Sequence, residues 1–381
     1  MTFWPAAIST ARSSSKFDMA EIALRGVSCT SGRRYLLDNV NITMRDGELT
    51  AIVGDQDSGK VTALRAIAGI EKISGGDVFV GGASVTGLKG GRRDVAMVFE
   101  KQGLLPHKNV FDNIAFPLRM AKVDKAEARR RVQIAARRFG LQDVLDKKPK
   151  KLSEMQRHMI GIARAVVRKP AAYLFQAVQP KGGAEIRKLV VREMVRLVRE
   201  DGATVIYATD DSAEALRIAD KVIVMSFGEV AQSGSPKQIY RRPADKDIAE
   251  LFGSPPINLL AGKIISETDG MVRVRLEGGT EISLPAYAKK PLIDTEITLG
   301  IRPPHIKLAD GSENSIAATV LQKHISGGKS ILELDSVEGE ITALIEDTEA
   351  GDIQIYLPAD FCLLFDSKGT TIRRKPPKPR H

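Results

Sequence analysis

The sequence predicts an α/β chain in which a mostly parallel sheet is covered by helices on both faces, followed by a smaller all-β domain of small-barrel type. Three observations support that reading. An apolar run, Leu49 to Val53, leads into the loop Gly54-Asp55-Gln56-Asp57-Ser58-Gly59-Lys60 and then into Thr62–Gly69, a helical stretch with one apolar face. Strand-like and helical segments then alternate as far as Met225, as in a parallel sheet with crossover helices. Beyond Gly253-Ser254-Pro255-Pro256 the texture shifts to short alternating strands between glycine and proline turns.

In chain order, Glu21–Leu24 and Val40–Met44 read as strands, and Asp46-Gly47 turns the chain into the run that ends at the loop. Ser74–Asp77 forms a turn before the strand Val78-Phe79-Val80, and Asp94–Phe99 is a strand of buried type. From about Val110 to Phe139 the pattern is helical and charged. Lys169-Pro170 breaks a helix ahead of the apolar strand Ala171–Phe175. Glu185–Arg199 is amphipathic through Ile186, Leu189, Val190, Met194, Leu197 and Val198. A strand at Thr204–Ala208, a helix at Ala213–Ile218 and a strand at Val222–Met225 follow. In the second domain Val272–Leu276 and Ile331–Leu334 alternate with period two.

The 381 residues, 43% of them hydrophobic, suffice for two domains with full cores. No apolar run approaches the roughly 18 residues that a membrane-spanning helix needs. Residues 1–18 hold Trp4 and Ser13-Ser14-Ser15 but no continuous apolar core, which argues against a secretory signal; a disordered tail, or a start at Met19, is expected. The two cysteines, Cys29 and Cys362, read as reduced thiols. Much of the net charge of +10 lies in Lys122–Arg138, Lys147–Lys151 and Arg373–Arg380, which read as a solvated helix face and a basic tail, with the anionic inner face of a membrane as an alternative partner. With aromatics at 5% and none interleaved among the basic residues, a nucleic-acid partner is not expected. The five histidines show no ligand spacing, so no metal beyond Mg²⁺ is indicated.

The spacing from Gly54 to Gly59-Lys60 fits a phosphate-binding loop, in which backbone N–H groups and a helix N-terminus cradle phosphate oxygens and the lysine adds a point charge. Such a loop continues with Ser or Thr, whose hydroxyl binds Mg²⁺; here the residue is Val61. Asp55 and Asp57 add two carboxylates to a loop built for a polyanion.

From about Met19 onward the chain resembles the ATP-binding cassette (ABC) ATPase subunits, and within them the sugar and glycerol-phosphate importer group. Besides the loop, the resemblance runs through Leu104–Leu118, Leu152-Ser153-Glu154-Met155-Gln156-Arg157 and Ile162-Ala163-Arg164-Ala165. Ile239–Ala244, Phe252–Leu260 and Gly300-Ile301-Arg302-Pro303 are specific to the importer group. The resemblance implies a cassette over residues 19–253, its helical subdomain at about 100–165, and an OB-like (TOBE-type) regulatory β-barrel over 254–381 with the basic tail. It implies two cassettes sandwiching two ATP molecules, each between one subunit's phosphate loop and the other's signature segment. It also implies docking on transmembrane permease subunits at the cytoplasmic face of the inner membrane, here through the residues after Glu100, as far as Leu118.

Position by position, the catalytic groups that the resemblance leads one to expect are missing. Val61 stands at the Mg²⁺ hydroxyl, and Gln176 and Ala177 stand at the Mg²⁺-associated aspartate and the catalytic glutamate. Glu100 stands at the sensing glutamine, Asp210 at the switch histidine, and Ser31 at the adenine-stacking aromatic, with Tyr35 close by as a substitute. In the signature segment (Leu152, Ser153, Glu154, Met155, Gln156), Glu154 and Met155 replace two glycines. The loop Gln179–Gly183 lacks an expected aspartate.

The expectation is therefore a nucleotide-binding subunit of a carbohydrate or polyol importer that is catalytically impaired. It would serve as the structural or regulatory half of a heterodimer with an intact ATPase, with weak or absent hydrolysis of its own. The nucleotide contacts would be Gly54 through Thr62, with weak ATP binding to which Mg²⁺ contributes little, and no ATP binding at all as the close alternative. Three alternatives stay open: an active importer ATPase, homodimeric and using relocated groups such as Gln102 or Asp211; a non-transport regulator on a cassette scaffold; and a decaying gene product.

Overall fold

In the computed structural model, which describes residues 20–177, 184–268, 270–285, 293–309, 313–326, 329–345 and 351–372, the chain divides into the units Met1–Ser235 and Pro236–His381. The division groups two short helices with the second unit. The expectations for residues 1–18, Gln179–Gly183 and Arg373–Arg380 lie outside the described residues.

The first unit begins with β1 (Ile22–Ser31) and β2 (Arg34–Met44), followed by β3 (Leu49–Val53), α1 (Lys60–Ala68), β4 (Gly75–Val80), β5 (Ala83–Ser84) and β6 (Val95–Val98). The helical region comprises α2 (Val110–Met120), α3 (Lys125–Arg138) and α4 (Glu154–Val166). The chain returns through β7 (Ala172–Gln176), α5 (Ala184–Asp201), β8 (Val205–Thr209), α6 (Ser212–Ile218), β9 (Lys221–Ser226) and β10 (Glu229–Gly234). A six-stranded sheet has the order β10-β9-β3-β8-β7-β6, parallel from β9 to β6 with β10 antiparallel at one edge. A separate antiparallel sheet, β2-β1-β4-β5, gathers the early strands.

Period-two alternation explains how the central sheet is covered on both faces. Leu49, Tyr173, Phe175, Val205 and Tyr207 join the core formed with α2 to α5. Ile52, Ala172, Leu174, Ile206 and Ala208 join the core formed with α1 and the antiparallel sheet. The charged stretch expected to be helical resolves into two helices. Lys122 takes a left-handed conformation (φ 55), and the Asp124 side chain accepts from the N–H groups of Ala126 and Glu127, starting α3 afresh.

The second unit contains α7 (Pro236–Arg241), α8 (Lys246–Leu251), β11 (Asn258–Thr268), β12 (Met271–Leu276), β13 (Glu281–Pro285) and β14 (Glu296–Ile301). It continues with β15 (Lys307–Leu308), β16 (Ser315–Ser326), β17 (Lys329–Ser336), β18 (Gly339–Ile345), β19 (Asp352–Tyr356) and β20 (Leu363–Asp366). Two five-stranded antiparallel sheets, β13-β12-β11-β14-β20 and β15-β19-β16-β17-β18, share one apolar core that includes Val274, Leu299, Leu332 and Ile355. Buried Arg302 donates to the carbonyls of Tyr240, Ala249 and Phe252, tying α7 and α8 to the end of β14.

Candidate nucleotide site

The phosphate loop leaves the fully buried β3 and enters α1 through Gly59, which takes a left-handed conformation (φ 92). A side chain at Gly54 would collide with the Met225 carbonyl and the Ser58 side chain, so the chain's close passage requires glycine there. No side chain caps α1 and no acidic residue lies in its first turn, so its first N–H groups remain available to an anion. Lys60 is buried and its Nζ donates to the Asp55 carbonyl at 2.7 Å. Burial pushes its ammonium below the usual lysine range, while the negative charges of Asp210, Asp55 and Asp57 push it up. Asp55, Gln56 and Asp57 are exposed, Val61 and Thr62 are half-buried, and Asp57 pairs with Arg34 at 3.5 Å. The Ser58 hydroxyl is buried and has no hydrogen-bond partner.

The carboxyl ends of β9, β3, β8, β7 and β6 lie along one edge of the sheet, where ligands bind in open α/β folds. That edge brings together the loop, Glu100 just after β6, Gln176 at the end of β7, Ala177 and Asp210. Glu100, Gln176 and Ala177 are half-buried, and Asp210 is exposed. The Ala177 N–H donates to the Ala208 carbonyl, which fixes the backbone where the catalytic carboxylate is expected but leaves only a methyl group.

Both groups considered as relocated catalytic residues are engaged elsewhere. The Gln102 side chain is buried and donates to the Phe99 carbonyl, while Arg164 of α4 donates to the Gln102 and Gly103 carbonyls. Asp211 caps α6 by accepting from the Glu214 N–H at 2.8 Å and pairs with Arg187 at 2.9 Å. Arg187 also forms a two-pronged pair with buried Glu214, to which the Tyr207 hydroxyl donates at 2.7 Å. The bonds to Glu214 hold the Arg187 guanidinium charged, and burial pushes the Tyr207 phenol up.

The signature residues form a second locus at the N-terminus of α4. The Ser153 hydroxyl accepts from the Gln156 N–H at 3.2 Å, and the Ser153 N–H donates to Gln156 Oε1 at 3.0 Å. This reciprocal cap satisfies two helix-end N–H groups. Leu152 is buried, Glu154 is half-buried, and Met155 is exposed in the first turn.

The loop fits a phosphate chain in its close backbone, its available helix N-terminus and its buried lysine. It does not fit Mg²⁺, because Val61 offers no oxygen and Gln176 only an amide. Among the described residues no group of three or more His, Cys, Asp or Glu side chains could hold a metal. Sequence reasoning missed the Arg34–Asp57 pair, the Asp210 charge acting on Lys60, and Phe227 in the turn after β9.

Residues 37–175 match the ABC transporter family, and residues 253–306 match the MalK OB fold domain. The maltose/maltodextrin import ATP-binding protein MalK of Vibrio cholerae is 33% identical over 93% of this chain and 97% of its own length. The lactose transport ATP-binding protein LacK of Rhizobium radiobacter is 35% identical over 93% of this chain and all of its own. Among solved structures, CbiO1 from Clostridium perfringens, part of the ABC transporter complex CbiONQ, aligns with a TM-score of 0.52 and 26% identity over 58% of this chain and 90% of its own. The dimeric ATP-binding cassette MJ0796, bound to ADP and Pi, aligns with a TM-score of 0.51 and 25% identity over 56% of this chain and 98% of its own. With its phosphate loop at the carboxyl edge of a cassette sheet and a β-domain following in the sequence, the chain belongs to the ABC transporter family, among the ATP-binding subunits that carry a MalK-type OB domain.

Proposed function

We propose that this chain is the nucleotide-binding subunit of a sugar importer, that it binds ATP with little help from Mg²⁺, and that it does not hydrolyse ATP by itself. One observation carries the reading. The backbone cradle of the phosphate loop and both cores beside it are intact, while Val61, Gln176 and Ala177 on the same edge supply none of the groups that in-line attack on a γ-phosphate needs. Removing one catalytic acid or base typically costs about 10²–10⁴ in rate, and here several groups are absent together. Gln102 and Asp211 are held by other bonds, which weighs against an active ATPase that uses them.

Altered on both the loop and the signature side, the subunit would be the structural or regulatory half of a heterodimer with an intact cassette. The pair would dock on permease subunits at the cytoplasmic face of the membrane. Among the described residues no helix is long and apolar enough to cross a membrane, so attachment would be through those partners. The named relatives point to a maltose- or lactose-like sugar as cargo.

Titration of the purified chain with ATP, with and without Mg²⁺, tests the reading. Micromolar binding, little changed by Mg²⁺ and lost in Lys60→Ala, is expected, with no phosphate release above background. Mg²⁺-dependent hydrolysis by the chain alone would select the active-ATPase reading. Absence of binding at millimolar ATP would leave the cassette as a scaffold only.

A further inference from the structure

β9 and β10 are joined by a two-residue turn, Phe227-Gly228, with Ser226 opposite Glu229. Both turn residues are left-handed, with φ 47 at Phe227 and 84 at Gly228. Such a turn favours Asn-Gly or Asp-Gly, and a bulky aromatic there is strained. The ring does not recover that cost by packing, since Phe227 is 88% exposed, the highest value among the large hydrophobic residues described. An outlier of this kind points to a role outside folding.

Its position indicates which role. β9 lies beside β3 and parallel to it, so the turn stands at the same sheet edge as the phosphate loop. The turn is stitched to that loop and to β2: the Gly228 N–H donates to the Ser58 carbonyl at 3.0 Å, and the Gly228 carbonyl accepts from the Asp38 N–H of β2 at 3.0 Å. A side chain at Gly59 would lie 3.2 Å from Gly228 Cα. Phe227 therefore carries an uncovered ring on a turn that is hydrogen-bonded to the loop holding Lys60.

We propose that Phe227 is the stacking platform for the base of a nucleotide whose phosphates lie in the loop. This rests on the nucleotide reading above and assigns its base subsite to β9–β10, where sequence reasoning had looked to Tyr35. Tyr35 is also exposed, at 54%, on β2 opposite Thr30, and its neighbour Arg34 pairs with Asp57 of the loop, so it is the competing ring that the test below separates from Phe227. Stacking suits this turn because every base has a π-face, so a single ring gives affinity without needing hydrogen-bond geometry.

The test compares ATP with inorganic tripolyphosphate, which has the phosphates but no base, by calorimetric titration of the full chain. Wild type, Phe227→Asn, Phe227→Tyr and Tyr35→Ala would be measured. Phe227→Asn removes the ring while suiting the turn, so it is expected to fold at least as well as wild type, with an unchanged circular dichroism spectrum. The expected result is an ATP affinity about tenfold weaker in Phe227→Asn and close to wild type in Phe227→Tyr, with tripolyphosphate binding unchanged throughout. The proposal is overturned if Phe227→Asn binds ATP as wild type does, or if Tyr35→Ala alone carries the loss. It is equally overturned if tripolyphosphate weakens in parallel, since the residue then acts through loop geometry. Wild type binding neither ligand would remove the nucleotide reading itself, and this assignment with it.

Discussion

Cys29 lies on β1 with no exposed surface, and burial pushes its thiol from 9.0 up to about 11, with the charge of Glu71 adding to the effect. The unfolded chain ionises this thiol first, so the stabilisation is complete below about pH 9 and is lost as pH rises through about 11. Urea denaturation at pH 8 and at pH 10.5 is expected to show a lower midpoint at the higher pH, and Cys29→Ala is expected to flatten that dependence; an equal fall in the variant would assign it to other groups. At this scale the sequence is legible where chemistry is local. Gly54, Gly59 and Lys60 announce a phosphate cradle by spacing alone. The Asp57–Arg34 pair and the Asp210 charge acting on Lys60 depend on segments far apart in the chain, and no spacing encodes them. Phe227 could have been noticed as an aromatic beside glycine just after an apolar strand, a position where asparagine is the usual choice in a hairpin turn.

Elements show the same division between local and long-range information. The two faces of β3, β7 and β8 follow from their alternation, and the break between α2 and α3 follows from one left-handed residue and one capping aspartate. The packing of the loop after β6 against α4 was not legible. Gln102 is buried against Gly161, where a methyl group would fall 1.8 Å from Gln102 Oε1. Alanine is the better helix former by roughly 0.8–1 kcal/mol, but moving Gln102 aside breaks the bond from its Nε2 to the Phe99 carbonyl, and a buried donor left unpaired costs about 1–3 kcal/mol. Gly161→Ala is therefore expected to lower the melting temperature; a rise would mean that Gln102 moves aside freely. At the start of α4, Glu154 suits the positive end of the helix dipole and Met155 is a good helix former. Glu154→Gly with Met155→Gly is expected to destabilise the helix by about 1–2 kcal/mol, read as a lower melting temperature. On the proposed reading, the side chains that would obstruct a partner's phosphate also strengthen this helix end, and an unchanged melting temperature would deny them that second role.

For the whole molecule, the buried cores and the chemistry at the sheet edge have separate determinants. The cores on the two faces of the sheet are filled, and the backbone at Ala177 is held by the Ala208 carbonyl, whatever side chains stand at the edge. On that separation, the chemistry that the proposed reading takes to be lost can be restored without rebuilding the fold. The residues to restore are those to which the resemblance assigns roles: Val61→Ser, Gln176→Asp, Ala177→Glu, Glu100→Gln and Asp210→His on the loop side, with Glu154→Gly and Met155→Gly on the signature side. Groups that act together in one transition state are strongly non-additive. Ala177→Glu alone is thus expected to remain at background, because a carboxylate without a metal ligand or switch histidine has nothing to assist. The full set is expected to release phosphate from ATP in a Mg²⁺-dependent manner. Steady-state phosphate release by the single, the loop-side set and the full set, each checked for folding and ATP binding, distinguishes the outcomes. Wild-type activity above background would end the impairment reading. A full set that binds ATP and Mg²⁺ yet stays silent would show that the edge itself, and not only its side chains, has left the catalytic geometry.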